Sequence, residues 1–495
     1  MNTSSHPTEW AVERLLPLPG HQPVAHQQTL HARDGMITRV GPAGATMPQA
    51  GSLAMPAFAN AHDHGRGLPT LSCGIPDGPL EVWMSRLGVE PHTLSFLNTA
   101  CAFARMACAG IGATVHCHNT QNGRALLQEA TGVAKAAQAV GIRVAFAVPF
   151  AGANPFVYES EQRFQDIFTH PEHFPALTAP RHRRSLEEGL NIVDALAELE
   201  SPTFNVQYGP VGPQWTDRAT LETISDRSAA TGRRVHIHFF ETRPQREWAD
   251  SMFPEGILQY FDSIGLLSPR LTLAHGVWLR EHEIELLAAR GVLLSCNISS
   301  NMRLASGLPP LPTILAKKLK FGIGLDGMSL EDDDDILREA RLLRGIMQTL
   351  HPGLDGPGDT RDSTPLCFHA LMRVGRECIV GQDNGGVLEA GRPADFVIVN
   401  TQRVMPTAIA DDVLPELLLT RLTRQDVQAL VVNGRTIVSD GRCQTVDLHD
   451  MENELHAIVQ HALARGTPPI APEWENSIRQ YYRAQLHTQN RAQQR

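Results

Sequence analysis

The feature that most constrains the fold is a regular alternation between short apolar segments rich in β-branched residues and longer helix-like segments. Strands that alternate with helices form parallel sheets, and eight such repeats are what a closed barrel needs. The sequence therefore predicts an α/β fold, a (β/α)8 TIM barrel. An open doubly wound sheet is the alternative, but no GxGxxG motif follows the first candidate strand. The candidate strands cover residues 54–62, 113–118, 143–149, 203–208, 234–240, 270–275, 292–297 and 320–325.

Both ends of the chain are predicted to form β-structure outside this barrel. The N-terminal part has strand-like segments at 29–32 and 35–40, and the C-terminal part has them at 395–399, 429–432 and 436–438, with Asn433-Gly434 as a hairpin turn. We expect a small composite β-sandwich domain from residues 1–55 and 385–450, the barrel from 56–384, and a helical tail over 451–495.

Composition narrows the class of function. Lys and Arg number 43 against 53 Asp and Glu, so the net charge of -10 disfavours a protein that holds nucleic acid. No apolar run of about 18 residues and no signal peptide pattern is found, which disfavours a membrane protein. The eight cysteines include no CxxC pair. We expect a cytoplasmic protein with reduced thiols that acts on a small molecule; homo-oligomerisation is left open.

Polar residues close four of the candidate strands. His62 and His64 share a face of the first strand because side chains two residues apart point the same way. The fifth strand carries His236 and His238, the sixth ends at His275 and the eighth at Asp326. Each residue alone could equally satisfy neighbouring backbone groups. Together, three imidazoles and a carboxylate at the open end of a barrel form a ligand set for Zn²⁺ or Fe²⁺ with a position left for water.

An ordered series of motifs resembles the amidohydrolase superfamily, and within it the cytosine deaminase and chlorohydrolase-like branch. The resemblance covers nearly the whole chain. Its motifs are Asp34–Ile37, Met55–His64, Trp83, His236–Thr242, Leu273–Gly276, Ser300–Asn301 with Leu304 and Ser306-Gly307, Leu325–Gly327, Gly391–Asp395 and Val432–Arg435.

The resemblance implies a role for each polar residue of the strand ends. It implies that His62, His64, His238 and Asp326 ligate the metal. Glu241 becomes a proton shuttle, and His275 becomes a partner of the attacking water or of the developing oxyanion. His236 then lies one row deeper in the barrel, where we expect a structural role.

One absence in the sequence bears on the number of metal ions. Relatives with two ions commonly bridge them with a carboxylated lysine on the fourth strand, yet no lysine lies between Lys135 and Lys317. The sequence therefore favours one divalent ion. We expect Zn²⁺, with Fe²⁺ as the alternative.

The resemblance also implies a reaction. A metal-activated water attacks an amidine-like carbon, Asp326 takes its proton, Glu241 protonates the adjacent ring nitrogen, and ammonia leaves. We expect a deaminase of an amino-substituted pyrimidine, purine, pterin or triazine. The alternatives are a hydrolase that displaces chloride, methylthio or alkylamine or opens a cyclic amide, and a non-catalytic scaffold relative.

Four further residues are candidate substrate contacts, each with a structural alternative. Arg66 could meet a substrate oxygen or hold its loop by a salt bridge, and Trp83 could line the pocket or pack that loop. His118 points to the barrel mouth if the second strand is correctly phased, and Gln207 could recognise a ring edge or satisfy backbone groups. The long connection from Phe150 to Arg184 is expected to be a lid or an oligomer contact.

Overall fold

The structure is a computed structural model that describes residues 8–44, 46–152, 158, 184–350, 360–405, 407, 409–466 and 472–492. Two eight-stranded sheets organise these residues. Most of the connection between Phe150 and Arg184, for which a lid and an oligomer contact were both considered, lies outside the described residues.

One of the sheets confirms the predicted TIM barrel. Its neighbouring strands follow chain order and pair in parallel. The strands are Phe58–Asp63 (β5), Ile111–Cys117 (β6), Arg143–Phe150 (β7), Phe204–Pro210 (β8), Val235–Phe239 (β9), Leu271–His275 (β10), Leu293–Cys296 (β11) and Phe321–Ile323 (β12).

The bounds predicted for the first barrel strand are wrong. Residues 54–56 belong to a strand of the other sheet, in which Pro56 pairs with Phe396, and the barrel strand begins at Phe58. The two strands form one continuous apolar run, so hydrophobicity alone does not reveal the change of sheet. Ala57 marks it, because its N–H donates to the carbonyl of Asp395.

The barrel closes between β5 and the segment that follows β12. The Asp326 N–H donates to the His62 carbonyl over 2.9 Å, and the Leu325 N–H donates to Asn60 Oδ1, also over 2.9 Å. A Cβ at Gly324 would lie 2.4 Å from Asn297 Oδ1 and 2.9 Å from His62 Cβ, so this position needs a glycine. The closure brings the first and last barrel strands together beneath the predicted site.

The strands from the two chain ends form the second sheet, as the sequence predicted. They are Thr8–Leu15 (β1), Ala25–Arg33 (β2), Met36–Pro42 (β3), Gln49–Pro56 (β4), Phe396–Asn400 (β13), Val427–Val432 (β14), Arg435–Ser439 (β15) and Arg442–Cys443 (β16). Their order is β16-β15-β14-β13-β4-β1-β2-β3, antiparallel except for β1 and β4. Buried side chains of both halves, such as Leu30 and Phe396, share one apolar cluster, so the sheet packs on itself like a sandwich.

Helices fill the segments between barrel strands, and several begin with the expected capping chemistry. At one start, Ser185 Oγ accepts from the Glu188 N–H while the Glu188 carboxylate accepts from the Ser185 N–H. The α-helices are Leu80–Arg86, Ser95–Cys108, Leu126–Val140, Leu186–Ala197, Arg218–Thr231, Arg243–Met252, Ile257–Ser263, Glu281–Ala289, Ile298–Arg303, Leu311–Ala316, Ile336–Leu350, Thr360–His369, Gly375–Val380, Leu414–Arg421, Leu448–Ala464 and Pro472–Ala492, with 3₁₀ turns at Thr70–Cys73, Leu87–Val89, Gly123–Ala125 and Arg424–Asp426 and a π-turn at Ala370–Val374. None of the helices in the described part of the chain has both the length and the apolarity to cross a bilayer.

A buried ion cluster joins the composite sheet to the barrel. Asp395 lies at the start of β13, where its Oδ2 is 2.5 Å from Arg143 Nε and 2.5 Å from Arg376 Nη1. Its Oδ1 also accepts from the Asn433 N–H over 2.6 Å. Burial alone would raise the pKa of Asp395, but the two guanidinium groups lower it to about 2. One carboxylate therefore compensates charges from a barrel strand and from the helix Gly375–Val380.

We predict that Asp395→Ala lowers the free energy of unfolding by about 3–5 kcal/mol at pH 7, because the buried Arg143 guanidinium loses its carboxylate partner and Arg376 keeps only Asp383. Urea denaturation measures the change. Asp440→Asn is the control, since Asp440 is exposed and Asn tolerates its φ of 50°.

The depressed pKa of Asp395 adds a pH dependence. Its ionic contribution is fully present above the unfolded-state pKa of about 4 and is lost as the pH falls toward 2. Asp395→Asn should therefore remove part of the acid sensitivity of the wild type between these limits. An equal loss of stability in Asp395→Ala and Asp440→Asn would contradict the role of this cluster.

Candidate active site

The structure brings the polar strand ends together at the carboxyl-terminal mouth of the barrel. One potential ligand atom from each of His62, His238, His275 and Asp326 lies within 4.8 Å of the others. His64 adjoins this group, because Asp326 Oδ1 is 3.0 Å from the Nε2 atoms of both His62 and His64. All five residues predicted for this end of the barrel therefore face one point.

Backbone carbonyls determine which ring nitrogens face that point. His64 Nδ1 lies 2.8 Å from the Cys117 carbonyl and His238 Nδ1 lies 2.7 Å from the Val211 carbonyl. A carbonyl only accepts, so each Nδ1 carries the proton and each Nε2 of a neutral ring presents a lone pair. Burial lowers the pKa of both imidazoles, which keeps them neutral at pH 7.

The lone pairs converge in a way that fits a divalent cation. His64 Nε2 and His238 Nε2 are only 3.4 Å apart, and Asp326 Oδ1 is 3.0 Å from His64 Nε2. His62 Nε2 is equally close to Asp326 Oδ1 but lacks the alignment of a hydrogen bond. Buried acceptors at such distances repel one another unless a positive charge lies between them. Three imidazoles and a carboxylate are also the donor types that zinc prefers.

His62 is positioned from behind by two further side chains. Its Nδ1 lies 2.8 Å from His236 Nε2 and 3.4 Å from Cys117 Sγ. Burial alone would lower the pKa of His62, yet Cys117 and Asp326 raise it well above the ordinary value. His236 thus contacts a predicted ligand from the inner side of the barrel, which is compatible with the structural role expected for it.

Glu241 lies beside the cluster, two residues beyond the end of β9. Its Oε2 is 3.6 Å from His275 Nε2, and its N–H donates to Gln245 Oε1 over 2.8 Å. Burial raises the pKa of Glu241 well above the ordinary value, and the negative charges of Asp326 and Glu81 raise it further. The environment therefore favours the protonated form of this carboxyl group.

Backbone strain is concentrated at two of these strand ends. His275 and Asp326 have φ angles of 74° and 60°, a left-handed conformation that residues other than glycine seldom adopt. Such conformations cost about 1–3 kcal/mol and cluster at functional sites. The amide side chains of Asn301 and Asn297, 3.0 and 3.3 Å from His275 Nδ1, hold that ring in place. Ser300 Oγ, which donates to Asp326 Oδ2 over 2.5 Å, does the same for the carboxylate.

Two of the four predicted substrate contacts lie near this site. The buried Arg66 guanidinium stacks over the Trp83 ring at 5.3 Å, and its Nη1 donates to the Asp326 carbonyl over 3.4 Å. Trp83 is itself buried among apolar residues. Arg66 and Trp83 thus support each other beside the cluster, and their contact with substrate stays a prediction.

The structure does not bring the other two candidates to the cluster. The inward-facing residue at the end of β6 is Cys117, one position before the predicted His118. Cys117 contacts His62, whereas His118 points away from the cluster and its Nε2 lies 2.9 Å from Glu129 Oε2. Gln207 faces the barrel interior, where its Nε2 donates to the carbonyls of Cys378 and Ile379. These contacts correct the two assignments.

Sequence reasoning missed several residues that complete the site. Ser300 and Asn301 belong to a motif of the family resemblance, but the sequence did not indicate their role. They follow β11 and therefore lie at the same mouth of the barrel. Cys117 was overlooked because His118 is the more conspicuous metal-binding residue type. Glu81 was also missed, and its position next to Glu241 arises from a contact between distant parts of the chain.

We predict that His238→Ala weakens Zn²⁺ binding by more than about 100-fold, because one of the converging lone pairs is removed. Titration with a competing chelator measures the affinity, and elemental analysis gives the stoichiometry, expected to be one ion per wild-type chain. His118→Ala is the matched control and should keep the wild-type affinity. Equal affinities in the two variants would contradict the assignment of the cluster as a metal site.

Comparisons with known proteins agree with this geometry. The chain is 28% identical to a 5-methylthioadenosine/S-adenosylhomocysteine deaminase of Dictyoglomus thermophilum over 53% of its own length, a match that spans only 60% of that relative. Among solved structures, the zinc complex of atrazine chlorohydrolase from Arthrobacter aurescens TC1 superposes with a TM-score of 0.74, at 19% identity, over 91% of this chain and 99% of that one. An adenosine deaminase from Xanthomonas campestris with bound zinc gives 0.72, at 19% identity, over 92% and 98%.

The family itself follows from a match to a whole-family model. Residues 53–437 match the model described as the amidohydrolase family. This segment contains every barrel strand, the converging histidines and Asp326. The chain therefore belongs to the amidohydrolase family.

Proposed function

We propose that the chain is a metal-dependent hydrolytic deaminase of an amino-substituted N-heterocycle. The observation that carries the proposal is the pairing of two features at one barrel mouth. Converging lone pairs of His64, His238 and Asp326 fit a cation, and the buried Glu241 carboxyl, whose pKa is raised, lies 3.6 Å from His275. Such a site can deliver a nucleophile and a proton to adjacent atoms of one ring.

His62, His64, His238 and Asp326 would hold the metal ion, with zinc as the expected occupant. When bound, the ion supplies a Lewis acid that activates water near neutral pH. No lysine lies between Lys135 and Lys317, so the fourth strand carries no lysine that could bridge two ions, which supports one ion rather than two.

The protein's own groups then move the protons. Burial alone would raise the pKa of Asp326, but His62 and His64 hold it well below the ordinary value, so this carboxylate is ionised and can accept a proton. Glu241 has the opposite shift and can donate one to a ring nitrogen. Burial lowers the pKa of His275 to about 4, so a neutral imidazole faces the carbon under attack. The proton accepted by Asp326 would pass to the amine and the hydroxyl proton of the tetrahedral carbon would return to Glu241, so that ammonia leaves as the ring carbonyl forms.

The relatives favour an adenine-type substrate among pyrimidines, purines, pterins and triazines. The Dictyoglomus relative is named for deamination of two adenosine thioethers, and the Xanthomonas neighbour is named an adenosine deaminase. In adenine, the carbon that bears the amino group adjoins a ring nitrogen, which is the arrangement that Glu241 and the attacking water require. The eight cysteines are all free, as in a reducing compartment, which supports a cytoplasmic location.

Displacement of another leaving group is the second candidate function. The chlorohydrolase neighbour is named for removal of chloride from a triazine, and the attack on the ring carbon is common to both reactions. Parallel assays for ammonia and for chloride on matched amino and chloro heterocycles separate the two. Release of chloride without ammonia would replace the deaminase proposal.

We predict that Glu241→Gln lowers kcat for ammonia release by about 100- to 10,000-fold, because the amide cannot donate the proton in the same way. Zinc content should stay at the wild-type value. Glu285→Gln, at an exposed glutamate that pairs with Lys317, is the control and should leave kcat unchanged. Wild-type turnover in zinc-loaded Glu241→Gln would overturn the role of Glu241.

We predict that His275→Ala keeps the bound zinc but loses most of kcat, because this ring acts on the reacting carbon rather than on the ion. A ring nitrogen of His275 lies within 4.8 Å of the other potential ligand atoms, which is close enough for His275 to be a ligand itself. The variant therefore distinguishes the two roles. Elemental analysis and an ammonia assay on the same sample supply the two readouts. A chain that has lost its zinc would identify His275 as a ligand instead.

A further inference from the structure

The terminal helix Pro472–Ala492 is docked on the rim of the barrel mouth. Trp474 and Ile478 are fully buried and share an apolar cluster with Val82 and Trp215 of the barrel loops. The Glu475 carboxylate receives two hydrogen bonds from the Arg86 guanidinium, at 2.7 and 2.8 Å. The helix is therefore a fixed wall of the mouth.

A cavity of about 280 Å³ lies between this helix and the barrel loops. We call it the arginine pocket. Its walls include Glu81, Thr242, Trp278 and Ser306 from the barrel and Arg479 and Arg483 from the terminal helix.

The arginine pocket adjoins Glu241. Thr242 is the next residue along the chain, and its hydroxyl donates to Glu81, whose charge raises the pKa of Glu241. On the other wall, the Ser306 carbonyl accepts from Trp278 Nε1 over 3.0 Å. The arginine pocket therefore borders the residue that follows Glu241.

Arginine side chains predominate among the charged residues that line the arginine pocket, although the whole chain carries a net charge of -10. Glu475, one turn before Arg479, is already bound by Arg86. Glu81 is buried, and its carboxylate accepts hydrogen bonds from the hydroxyls of Thr242 and Tyr158. Within the described part of the chain, Arg483 has no ion-pair partner. Arg479 and Arg483 thus line the pocket, and the described residues include no carboxylate in an ion pair with either, although Arg479 contributes to lowering the pKa of Glu475.

We propose that the arginine pocket binds an anionic substituent of the heterocyclic substrate, a carboxylate or a phosphate, through Arg479 and Arg483. Guanidinium groups match both anions through paired N–H donors. A volume of about 280 Å³ is at the small end of ligand sites, so it suits a substituent rather than the ring itself. The proposal rests on the proposed deaminase function and specifies its substrate class.

Three probes test the proposal with zinc-loaded full-length protein. They are 5′-methylthioadenosine, its analogue with a carboxyethyl group in place of the methyl group, and adenosine 5′-phosphate. We expect wild type to prefer the better-fitting anionic probe in kcat/KM, and Arg479→Gln and Arg483→Gln each to lower that preference over the neutral probe by about 10-fold or more. Arg465→Gln removes the same charge from an exposed site outside the pocket and should leave the preference unchanged.

A charge swap supplies a second arm. Arg483→Glu should lower kcat/KM for the carboxylated probe and raise it for an aminoethyl analogue of the same size. Preferences that are the same in wild type, both glutamine variants and the charge swap would overturn the proposal. The carboxylated and phosphorylated arms distinguish which anion the pocket accepts.

Binding measurements separate failure of this inference from failure of the proposed function. Calorimetry with zinc-loaded Glu241→Gln protein measures affinity without turnover. Tighter binding of an anionic probe that depends on Arg479 supports the arginine pocket even if wild type releases no ammonia, an outcome that would count against the deaminase function alone. Ammonia release combined with equal affinities for anionic and neutral probes would overturn the pocket alone.

Discussion

The site depends on the way Asp326 closes the barrel. Its N–H joins the last barrel strand to the first through the His62 carbonyl, while its Oδ1 lies 3.0 Å from both His62 and His64. The same residue therefore holds together the sheet and the ligand set. A left-handed backbone at Asp326 and a hydrogen bond from Ser300 fix its carboxylate in this position. His64 Nε2, His238 Nε2 and Asp326 Oδ1 converge here, and a divalent cation between them would compensate the repulsion among these acceptors.

Much of the fold and of the candidate site could be predicted from the sequence. The eight-fold alternation predicts the barrel, and the hairpin at Asn433-Gly434 with matching strands near the N-terminus predicts the composite sheet. The spacing of His62 and His64 places both on one strand end. These predictions succeed because they depend on local periodicity, which the barrel preserves.

The rest depends on contacts between distant parts of the chain. His118 was misassigned because the end of a fully buried strand offers no polar alternation from which to phase it, and Cys117 is the residue that faces inward. Gln207 was misassigned because the helix that occupies its amide is contributed by residues 375–380. The role of the terminal helix at the mouth was likewise invisible, since a sequence does not show where an amphipathic tail docks.

The Asp395 cluster also has a consequence for the order of assembly during synthesis. Arg143 leaves the ribosome before Asp395, so the nascent barrel holds this guanidinium group without its carboxylate partner, while Arg376 can already pair with Asp383. Strand β4 also lacks its antiparallel partner until this point of synthesis, because β13 begins at Phe396. Pairing of β4 with β13 and neutralisation of Arg143 thus coincide in one short stretch of chain, before the remaining strands β14, β15 and β16 are added.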